Sequence, residues 1–544
     1  MTIVDLLRNN AKKFPNDTAL IELNPASDER KNLEWKEYDL VETGHSLHYR
    51  KELTWAGFNN LANYFAVLLK KSGIKKNNKV AILLMNSIDW LPVYFGILKT
   101  GAIAVPLNFR YTEDEIKYCL DLSDAKILIY GPEFNERIVN IKNDLKKIKH
   151  YYYLGIGCPD HAQSFEKEIF EIAEDKNTQA EIKKFPTLKQ DDFAAIYFSS
   201  GTTGFPKAIL HKHKNLYNSA LTEQKHHSQT KDDIFLLIPP LYHTGAKMHW
   251  FGSLMSSSKA IILKGVDPHW IIEAAAKEKI TIIWLLVPWA SDILEVLEKD
   301  KSILKKFDLS NIRLMHMGAQ PVPPALVRRW LKIFPTQKYD TDYGLSESCG
   351  PGCVHLGVDN ISHIGAIGVA GYNWKTKIVD SKGKKVKQGE VGELLVKGNS
   401  NMTCYYKNKK ATKETLIDNW LYTADLVRED ADGFIYLVDR KKDLIITGGE
   451  NIYPVQIENF FHKSDLIKDI AVIGISDERL GEIAVAIIEL NDEVKVNKKI
   501  REELNAFAAA LPKYKRPRKY FFDKIPRNAT GKIEKPKLRE KYKN

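Results

Sequence analysis

Cysteine is scarce in this sequence, with five residues in a chain of 544. Thiols so few and so widely spaced exclude a disulfide-stabilised scaffold, and they fit a protein of a reducing compartment. Cys349 and Cys353 stand close together, but a zinc site built on them would need further ligands, and only His355 and His363 stand nearby. The spacing therefore does not predict a zinc site at these cysteines.

Long apolar runs are also missing. The longest, residues 280–290, is interrupted by Pro288 and ends well short of the ~20 residues that a membrane-spanning helix requires. Residues 1–15 form an amphipathic start that contains charges, without a long apolar core or a small-residue cleavage site. The sequence therefore predicts no transmembrane segment, a mature N-terminus and a cytoplasmic location. Peripheral contact with a membrane surface stays open.

Basic residues outnumber acidic ones, 81 to 69, which gives a net charge of +12. Such an excess suits nucleic acid, an anionic membrane surface or a polyanionic small molecule as a partner. Many lysines stand in scattered pairs, such as Lys70 with Lys71 and Lys183 with Lys184, which is typical of a solvated surface. Net charge alone therefore does not select among these partners.

The chain length predicts at least two domains, because 544 residues exceed what one hydrophobic core organises. In the N-terminal part, runs with helical spacing alternate with short apolar runs. The predicted helices are residues 53–73, 90–100 and 112–121, and the predicted strands are residues 79–85, 102–106, 127–130, 193–198, 234–238 and 280–286. This alternation predicts an α/β fold with a parallel sheet covered by helices.

The pattern changes after residue 365, where short strand-like runs are separated by Gly, Asp and Lys turns. Residues 375–380 and 392–396 are examples, and they predict a β-rich subdomain. The charged run at residues 439–443 is the best boundary before a small final domain. It predicts a hinge, although such a run is also typical of a solvated turn.

Residues 199–207 carry the strongest chemical signal in the sequence. The run Ser-Ser-Gly-Thr-Thr-Gly-Phe-Pro-Lys follows a predicted strand directly. Glycine lets backbone N–H groups approach an anion closely, hydroxyl groups donate further hydrogen bonds, and Lys207 adds a positive charge. A flexible polar linker would not need the strand or the Pro-Lys ending. The P-loop of ordinary NTPases is rejected, because Pro206 precedes Lys207 and Ala208 follows it.

This run closely resembles the signature loop of the adenylate-forming superfamily, which includes acyl-CoA synthetases, peptide-synthetase adenylation domains and firefly luciferase. Other motifs of that superfamily follow in the same order and cover nearly the whole chain. They are Pro239-Pro240-Leu241-Tyr242-His243-Thr244, Gly318-Ala319-Gln320, Tyr343-Gly344-Leu345-Ser346-Glu347, Tyr422-Thr423-Ala424-Asp425, Asp439-Arg440 with Gly448-Gly449-Glu450-Asn451, and Thr530-Gly531-Lys532.

The resemblance implies a large N-terminal domain, residues 1–440, with two α/β subdomains and a β-rich part at about 365–438. It also implies a small mobile α+β domain, residues 441–544. The implied enzyme is an AMP-forming carboxylic acid–CoA ligase that acts through an acyl-adenylate, with ATP and CoA as co-substrates and Mg²⁺ as cofactor. Both half-reactions bring anions together, so cations and oriented N–H donors are required.

By resemblance, most of the motif residues contact ATP or AMP. The implied nucleotide-binding residues are Ser199, Ser200, Gly201, Thr202, Thr203, Gly204, Lys207, Gly318, Ala319, Gln320, Thr341, Asp342, Tyr343, Gly344, Leu345, Ser346, Asp425, Arg440 and Lys532. Among them, Tyr343 would stack on adenine and Asp425 would accept hydrogen bonds from the ribose hydroxyls. Ala424 stands where the superfamily usually has glycine, and we expect it to cost about 1 kcal/mol if the backbone needs a positive φ.

The resemblance also assigns catalytic roles. The implied catalytic residues are Lys532, which bridges carboxylate and α-phosphate, His243, which gates the carboxylate pocket, Lys207 and Glu347, which is the Mg²⁺ ligand. For the thiol step, Lys442 is the implied hinge. Gly448, Gly449 and Glu450 would line the path of CoA.

At this stage the sequence identifies neither the carboxylic acid substrate nor the acceptor of the acyl group. Bulky residues that suit a medium- or long-chain fatty, cyclic or aromatic acid are Tyr242, His249, Trp250, Trp289, Met315 and Met317. One alternative is an adenylating enzyme that passes the acyl group to a carrier protein or releases acyl-AMP. A more remote one is a catalytically silent basic binding protein on the same fold. No nucleic-acid partner is expected, and the chain is predicted to be a monomer or homodimer.

Overall fold

The computed structural model describes residues 1–27, 49–199, 206–447, 450–491, 494–527 and 532–543. Two predicted sites fall partly outside these residues. They are the phosphate-binding loop, at Ser200, Gly201, Thr202, Thr203 and Gly204, and the CoA-facing turn, at Gly448 and Gly449.

One α/β sheet contains the strand that leads into the predicted phosphate-binding loop. Its strands, in spatial order, are Cys404–Tyr405, Ala208–Lys212, Phe193–Phe198, Ile103–Pro106, Lys79–Leu83, Ala125–Tyr130, His150–Tyr153 and Gln163–Ser164. From Phe193–Phe198 to Gln163–Ser164 the pairs are parallel, whereas Ala208–Lys212 returns antiparallel to Phe193–Phe198. The predicted loop therefore joins two neighbouring strands, and both of its ends are fixed in the sheet.

A second α/β sheet positions the middle motifs. Its strands, in spatial order, are Lys338–Asp340, Leu314–Gly318, Ile282–Leu286, Ile234–Leu237, Lys259–Leu263, Thr18–Leu23 and Arg50–Thr54. They run parallel except for Arg50–Thr54, which pairs antiparallel with Thr18–Leu23. Since parallel strands end at the same edge, the motifs after Leu314–Gly318 and Lys338–Asp340 become neighbours there.

Helices cover both sheets. They are Ile3–Lys13, Trp55–Lys71, Trp90–Lys99, Glu113–Ser123, Asn135–Ile141, Phe165–Glu174, Thr178–Lys183, His213–His227, Thr244–Ser256, Pro268–Lys277, Val287–Lys299, Ile303–Lys306 and Pro324–Ile333, with 3-10 turns at Pro25–Ser27, Pro132–Phe134, Lys142–Asp144, Ser346–Ser348 and Ile361–His363. Local signals set their ends. Thr112 caps Glu113–Ser123 by accepting a hydrogen bond from the Glu115 N–H, and Gly73, at φ +79°, follows Trp55–Lys71.

Antiparallel strands follow in the chain. A small sheet contains Asp342–Leu345, Gly350–His355 and Val369–Ala370. A larger one contains Lys375–Val379, Gly392–Lys397, Trp420–Glu429 and Leu416–Ile417, with Ile435–Arg440 also paired to Trp420–Glu429 and the helix Lys409–Thr415 beside it. This region agrees with the predicted β-rich part.

The C-terminal region has its own sheet and core. Its strands are Glu450–Ile452, Ile445–Thr447, Gly481–Leu490, Ile467–Asp477 and Lys519–Phe522, and its helices are Pro454–Phe461, Lys498–Ala508 and Lys535–Lys541, with a 3-10 turn at Lys513–Lys515. Two apolar clusters on the faces of this sheet are drawn entirely from residues between Ile445 and Tyr542. A separate core of this kind is what defines a domain.

The predicted mixed α/β fold, with a large N-terminal and a small C-terminal domain, is confirmed. The helices predicted at residues 53–73, 90–100 and 112–121 are present with small shifts at their ends. The strand predicted at 193–198 has those bounds in the structure. None of the helices in the described ranges combines the length and apolar character that crossing a bilayer requires.

Candidate active site

A cleft of about 2620 Å³ is lined by both the large domain and the C-terminal domain. Predicted site residues from distant motifs meet on its walls. Those that line it are Ser199, Lys207, His243, Ala319, Gln320, Thr341, Asp342, Tyr343, Gly344, Leu345, Ser346, Glu347, Asp425, Arg440, Lys442 and Lys532. Gly318 and Glu450 are described but are not among the lining residues. The cleft therefore brings together most of the site residues that the motifs predicted.

Lys532 reaches this cleft from the C-terminal domain. Burial lowers the pKa of its ammonium group to about 8, and the positive charge of Arg440 adds to this effect, while Asp425 and Glu347 act in the opposite direction. Lys532 therefore lies close enough to the predicted ribose-binding and metal-binding residues for their charges to act on it, and all of them line the same cleft.

Asp425 is the centre of the predicted ribose site. Its Oδ2 accepts a hydrogen bond of 2.5 Å from the Tyr343 hydroxyl, and its Oδ1 lies 3.2 Å from Arg440 Nε. The negative charge of Asp425 is the main reason why the pKa of Arg440 is raised. Asp425 and Arg440 are paired directly across two antiparallel strands, Trp420–Glu429 and Ile435–Arg440. The sheet register therefore fixes this carboxylate and guanidinium side by side.

Ala424 occupies a left-handed backbone conformation, with φ at +59°. Its N–H donates to Glu393 Oε1 at 3.1 Å, and the side chain is exposed, so the methyl group contributes little packing. For L-residues with a Cβ this conformation costs roughly 1 kcal/mol. The expected strain at the position usually held by glycine is therefore present.

Ala424→Gly is expected to raise the free energy of unfolding by about 0.5–1 kcal/mol, because glycine adopts positive φ without the Cβ clash. Ala180→Gly is the matched control, since Ala180 is exposed within the helix Thr178–Lys183. That control should lower the free energy of unfolding by about 0.5–1 kcal/mol. Both are measured by urea denaturation followed by circular dichroism. Equal destabilisation by the two substitutions would contradict the claim that the backbone at Ala424 is strained.

Glu347 is held in the cleft by a residue outside the motifs. The hydroxyl of Tyr405 donates to Glu347 Oε1 at 2.8 Å. Burial raises the pKa of this phenol, and the charge of Glu347 raises it further, so Tyr405 stays a donor. Lys207 Nζ lies 4.9 Å from the centre of the same ring, a cation–π distance. Tyr405 therefore joins two predicted catalytic residues, and sequence reasoning missed it.

His243 caps the helix Thr244–Ser256. Its Nδ1 accepts a hydrogen bond from the Gly245 N–H at 3.1 Å, which leaves Nε2 as the protonated nitrogen of the neutral ring. Burial lowers the pKa of His243 to about 3, and the charge of Lys532 lowers it further. The ring is therefore neutral at ordinary pH, and its cap contact fixes its orientation at the cleft.

Gln320 provides a contact between the two domains. Its Oε1 accepts a hydrogen bond of 2.6 Å from Arg527, whose guanidinium also donates to Asp469 Oδ2 in the C-terminal sheet. Arg527 precedes Lys532 in the chain by five residues. This bridge therefore ties Arg527 of the C-terminal domain to the large domain.

The remaining motif residues have mainly local partners. A Cβ on Gly344 would lie 2.0 Å from the carbonyl oxygen of Gly350, so only glycine fits there. Ser346 Oγ lies 3.3 Å from Thr244 Oγ1 at the cleft wall. Lys442 lies in the turn between Ile435–Arg440 and Ile445–Thr447, that is, between the sheets of the two domains. Its role as a hinge stays a prediction.

The part of the cleft beside His243 differs from the expected acyl pocket. Tyr242 and His249 line it as predicted, together with Trp284, which sequence reasoning did not single out. The other proposed pocket residues are buried in the main hydrophobic core instead. They are Trp250, Trp289, Met315 and Met317. Bulky residues in a strand or helix look alike in sequence whether they face a cavity or the core, so the pattern could not separate them.

Several polar atoms in this part of the cleft wall have no hydrogen-bond partner among the described residues. They are Tyr242 Oη, Trp284 Nε1, His249 Nε2 and Asp342 Oδ2. The other ring nitrogen of His249, Nδ1, lies 2.6 Å from Glu223 Oε1 and donates to it. These four atoms are buried, so they lie beneath the cleft surface, and only a group that reaches into this part of the wall could pair with them.

The fold and the convergence of charged groups in an interdomain cleft are those of an adenylate-forming enzyme. The AMP-binding enzyme family matches residues 7–406, and the AMP-binding enzyme C-terminal domain matches residues 456–532. The chain therefore belongs to the AMP-binding enzyme family, and the resemblance found in its motifs is confirmed.

Relatives of the chain are similar over nearly its full length. A long-chain-fatty-acid–CoA ligase of Mycobacterium tuberculosis is 30% identical, covering 90% of this chain and 93% of the relative. A 2-succinylbenzoate–CoA ligase of Bacillus cytotoxicus is also 30% identical, covering 86% and 89%. Among solved structures, an anthranilate CoA ligase in complex with anthranoyl-AMP matches with a TM-score of 0.84 and 25% identity, covering 100% of this chain and 97% of that one.

Proposed function

We propose that this protein is an AMP-forming acid–CoA ligase. The observation that carries the proposal is the meeting of Lys532, Glu347 and the Asp425–Arg440 pair in one cleft. The relatives named as CoA ligases support CoA as the acceptor. We further propose that the domains divide at residues 440 and 441, where the strand Ile435–Arg440 ends. The use of ATP and CoA supports a cytoplasmic location.

In the first half-reaction, a carboxylate oxygen of the acid attacks the α-phosphorus of ATP. The new O–P bond forms as the bond to the β-phosphate breaks, and pyrophosphate leaves. Tyr343 and the Asp425–Arg440 pair would position the nucleoside, and the ammonium group of Lys532 would stabilise charge on the α-phosphate oxygens. In the second half-reaction, the thiol sulfur attacks the acyl carbon, the bond to AMP breaks, and the thiol proton is released to solvent.

The cleft residues fit Mg²⁺. Glu347 supplies a carboxylate whose one oxygen is already oriented by Tyr405, and a cation that keeps several waters binds through few protein carboxylates plus substrate phosphates. When bound, Mg²⁺ would neutralise phosphate charge. We therefore propose Glu347 as its protein ligand.

For the acid, we propose a compact ring-containing substrate that carries a hydroxyl or amino group. Trp284 and Tyr242 supply flat apolar faces, and the unpartnered polar atoms His249 Nε2 and Asp342 Oδ2 lie beneath the wall beside them. A hydroxyl or amino group that pairs with one of these atoms would gain a hydrogen bond that the free protein leaves unmade, worth about 0.5–1.5 kcal/mol. The aromatic ligands named for two of the similar proteins agree with this.

A CoA-dependent AMP-release screen tests the function and the acid together. The panel contains acetate, medium- and long-chain fatty acids, cyclohexane carboxylate, benzoate, and hydroxy- and aminobenzoates. We expect kcat/KM for the best substituted benzoate to exceed that for benzoate by about 2- to 10-fold. A preference for a fatty acid would contradict the proposed ring-containing substrate. Accumulation of acyl-AMP in the presence of CoA would contradict CoA as the acceptor of the acyl group.

The proposed role of Lys532 predicts a pH dependence of adenylation. With a pKa of about 8 in the free enzyme, Lys532 is charged below pH 8 and neutral above it. The kcat/KM for ATP in pyrophosphate exchange should therefore fall as the pH rises through about 8, because this parameter reports groups of the free enzyme. Lys532→Arg should remove that alkaline limb, since a guanidinium stays charged. If the alkaline decrease in kcat/KM were unchanged in Lys532→Arg, the group that titrates would be a residue other than Lys532.

A further inference from the structure

A cluster of buried imidazole and carboxylate groups lies behind the wall of the acyl end of the cleft. His227 ends the helix His213–His227, His316 lies in the strand Leu314–Gly318, Asp340 ends the strand Lys338–Asp340, and His355 ends Gly350–His355. All are at most 1% exposed. One ligand atom from each lies within 4.8 Å of the ligand atoms of the others.

The distances in this cluster suit a tetrahedral metal site. His227 Nε2 lies 2.9 Å from His316 Nδ1 and 3.5 Å from Asp340 Oδ2. Asp340 Oδ2 also lies 3.9 Å from His316 Nδ1 and 3.1 Å from His355 Nδ1. Four ligands at zinc–nitrogen and zinc–oxygen distances of 2.0–2.2 Å stand about 3.3 Å apart at the corners of a tetrahedron. The observed separations lie on both sides of that value.

Asp340 points one of its two carboxylate oxygens into the cluster. Its Oδ1 accepts hydrogen bonds from the N–H groups of Thr341, at 2.8 Å, and Gly357, at 2.9 Å. Its Oδ2 is fully buried and faces the imidazole rings, 3.1 Å from His355 Nδ1 and 3.5 Å from His227 Nε2. A buried carboxylate needs positive charge beside it, and a cation at the common focus of the four ligand atoms would supply that charge.

Two further carboxylates stand where the outer shell of a metal site is expected. Glu223 Oε1 lies 2.8 Å from His227 Nδ1, and Asp342 Oδ1 lies 3.1 Å from His316 Nε2. In each case the carboxylate faces the ring nitrogen opposite to the one in the cluster. Such carboxylate–histidine–metal pairs orient the ring and raise its basicity as a ligand.

We propose that His227, His316, His355 and Asp340 form a closed, tetrahedral zinc site. Three imidazoles and one carboxylate suit Zn²⁺ among the first-row metals, and four buried protein ligands are typical of a structural rather than a catalytic site. The site would tie a helix to three strands. Through Glu223 it holds His249, and through His316 it holds Asp342, so it supports the polar atoms of the acyl cleft wall.

Metal analysis of the full-length protein tests the proposal directly. After expression with zinc and gel filtration, the wild type should contain about one zinc ion per chain. His355→Ala and Asp340→Asn should contain little or none. His363→Ala is the matched control and should keep the metal, since His363 is neither a proposed ligand nor a partner of one. A metal-free wild type that also binds no added zinc would overturn the proposal, and so would zinc retained in Asp340→Asn or lost in His363→Ala.

Two measurements keep the test valid if the ligand variants fold poorly. In Glu223→Gln all four ligands remain, and zinc affinity should fall by about 10- to 100-fold in competition with a chromophoric chelator. Wild type loaded with Co²⁺ should show visible bands of tetrahedral cobalt without a thiolate charge-transfer band. A thiolate band, or loss of zinc in Cys349→Ser or Cys353→Ser, would show that cysteines bind the metal. Either result would overturn the proposed ligand set. None of these readouts depends on ligase activity.

Discussion

Lys532→Ala should lower the rate of carboxylate-dependent pyrophosphate exchange by about 10²- to 10³-fold, the usual effect of removing a group aimed at transition-state charge. We expect this loss because the ammonium group of Lys532 lies near Arg440, Asp425 and Glu347 in the cleft. The measurement is exchange of labelled pyrophosphate into ATP at saturating acid. Because the ammonium group serves the attack on the α-phosphate, thioester formation from supplied acyl-AMP should be nearly unaffected.

Lys537→Ala is the matched control for this prediction. Lys537 is an exposed lysine in the same terminal segment, and its Nζ donates to Glu534 at 2.7 Å on the helix Lys535–Lys541. Its loss should leave both half-reactions unchanged within a factor of about two, as expected for an exposed ion pair. Equal loss of adenylation and thioester formation in Lys532→Ala would contradict a role confined to the first step.

Much of the fold could be predicted because its signals are local. Helix boundaries such as the Thr112 cap and Gly73 are encoded within a few residues, and the strand Phe193–Phe198 is a single short apolar run. The pairing of Asp425 with Arg440 is different. It depends on the register of two strands, and sequence reasoning reached it only through the resemblance of the motifs to those of a known family.

The residues that sequence reasoning missed belong to contacts between distant segments. Tyr405 meets Glu347 across 58 positions of the chain, and no spacing rule connects them. His227, His316 and His355 come from a helix and two strands, so they lack the short spacing that marks a zinc motif in sequence. Sequence reasoning looked for metal ligands near the cysteine pair, because it could compare only neighbours along the chain.

The contact between Tyr405 and Glu347 leads to the second large effect. Glu347→Gln keeps the shape of the side chain but removes its charge, and with it the protein ligand proposed for Mg²⁺. We expect adenylation to fall by about 10²- to 10³-fold, because a metal ion contributes several kcal/mol to charge stabilisation in the transition state. The assay is pyrophosphate exchange over a series of Mg²⁺ concentrations. Raising Mg²⁺ should not restore the rate, since the substituted amide is a poor ligand for a hard cation.

Tyr405→Phe tests the orientation of Glu347 separately from the role of Glu347 as the metal ligand. The phenyl ring keeps its place beside Lys207, 4.9 Å from the ammonium nitrogen, while the 2.8 Å hydrogen bond to Glu347 is lost. Removing an outer-shell partner weakens metal affinity by about 10-fold or more, so the variant should need correspondingly more Mg²⁺ and then approach the wild-type rate. Rescue of Tyr405→Phe without rescue of Glu347→Gln would support Glu347 as the ligand and Tyr405 as the residue that orients it. If excess Mg²⁺ rescued both variants alike, the metal would be held by the nucleotide phosphates alone, and Glu347 would have another task in the cleft.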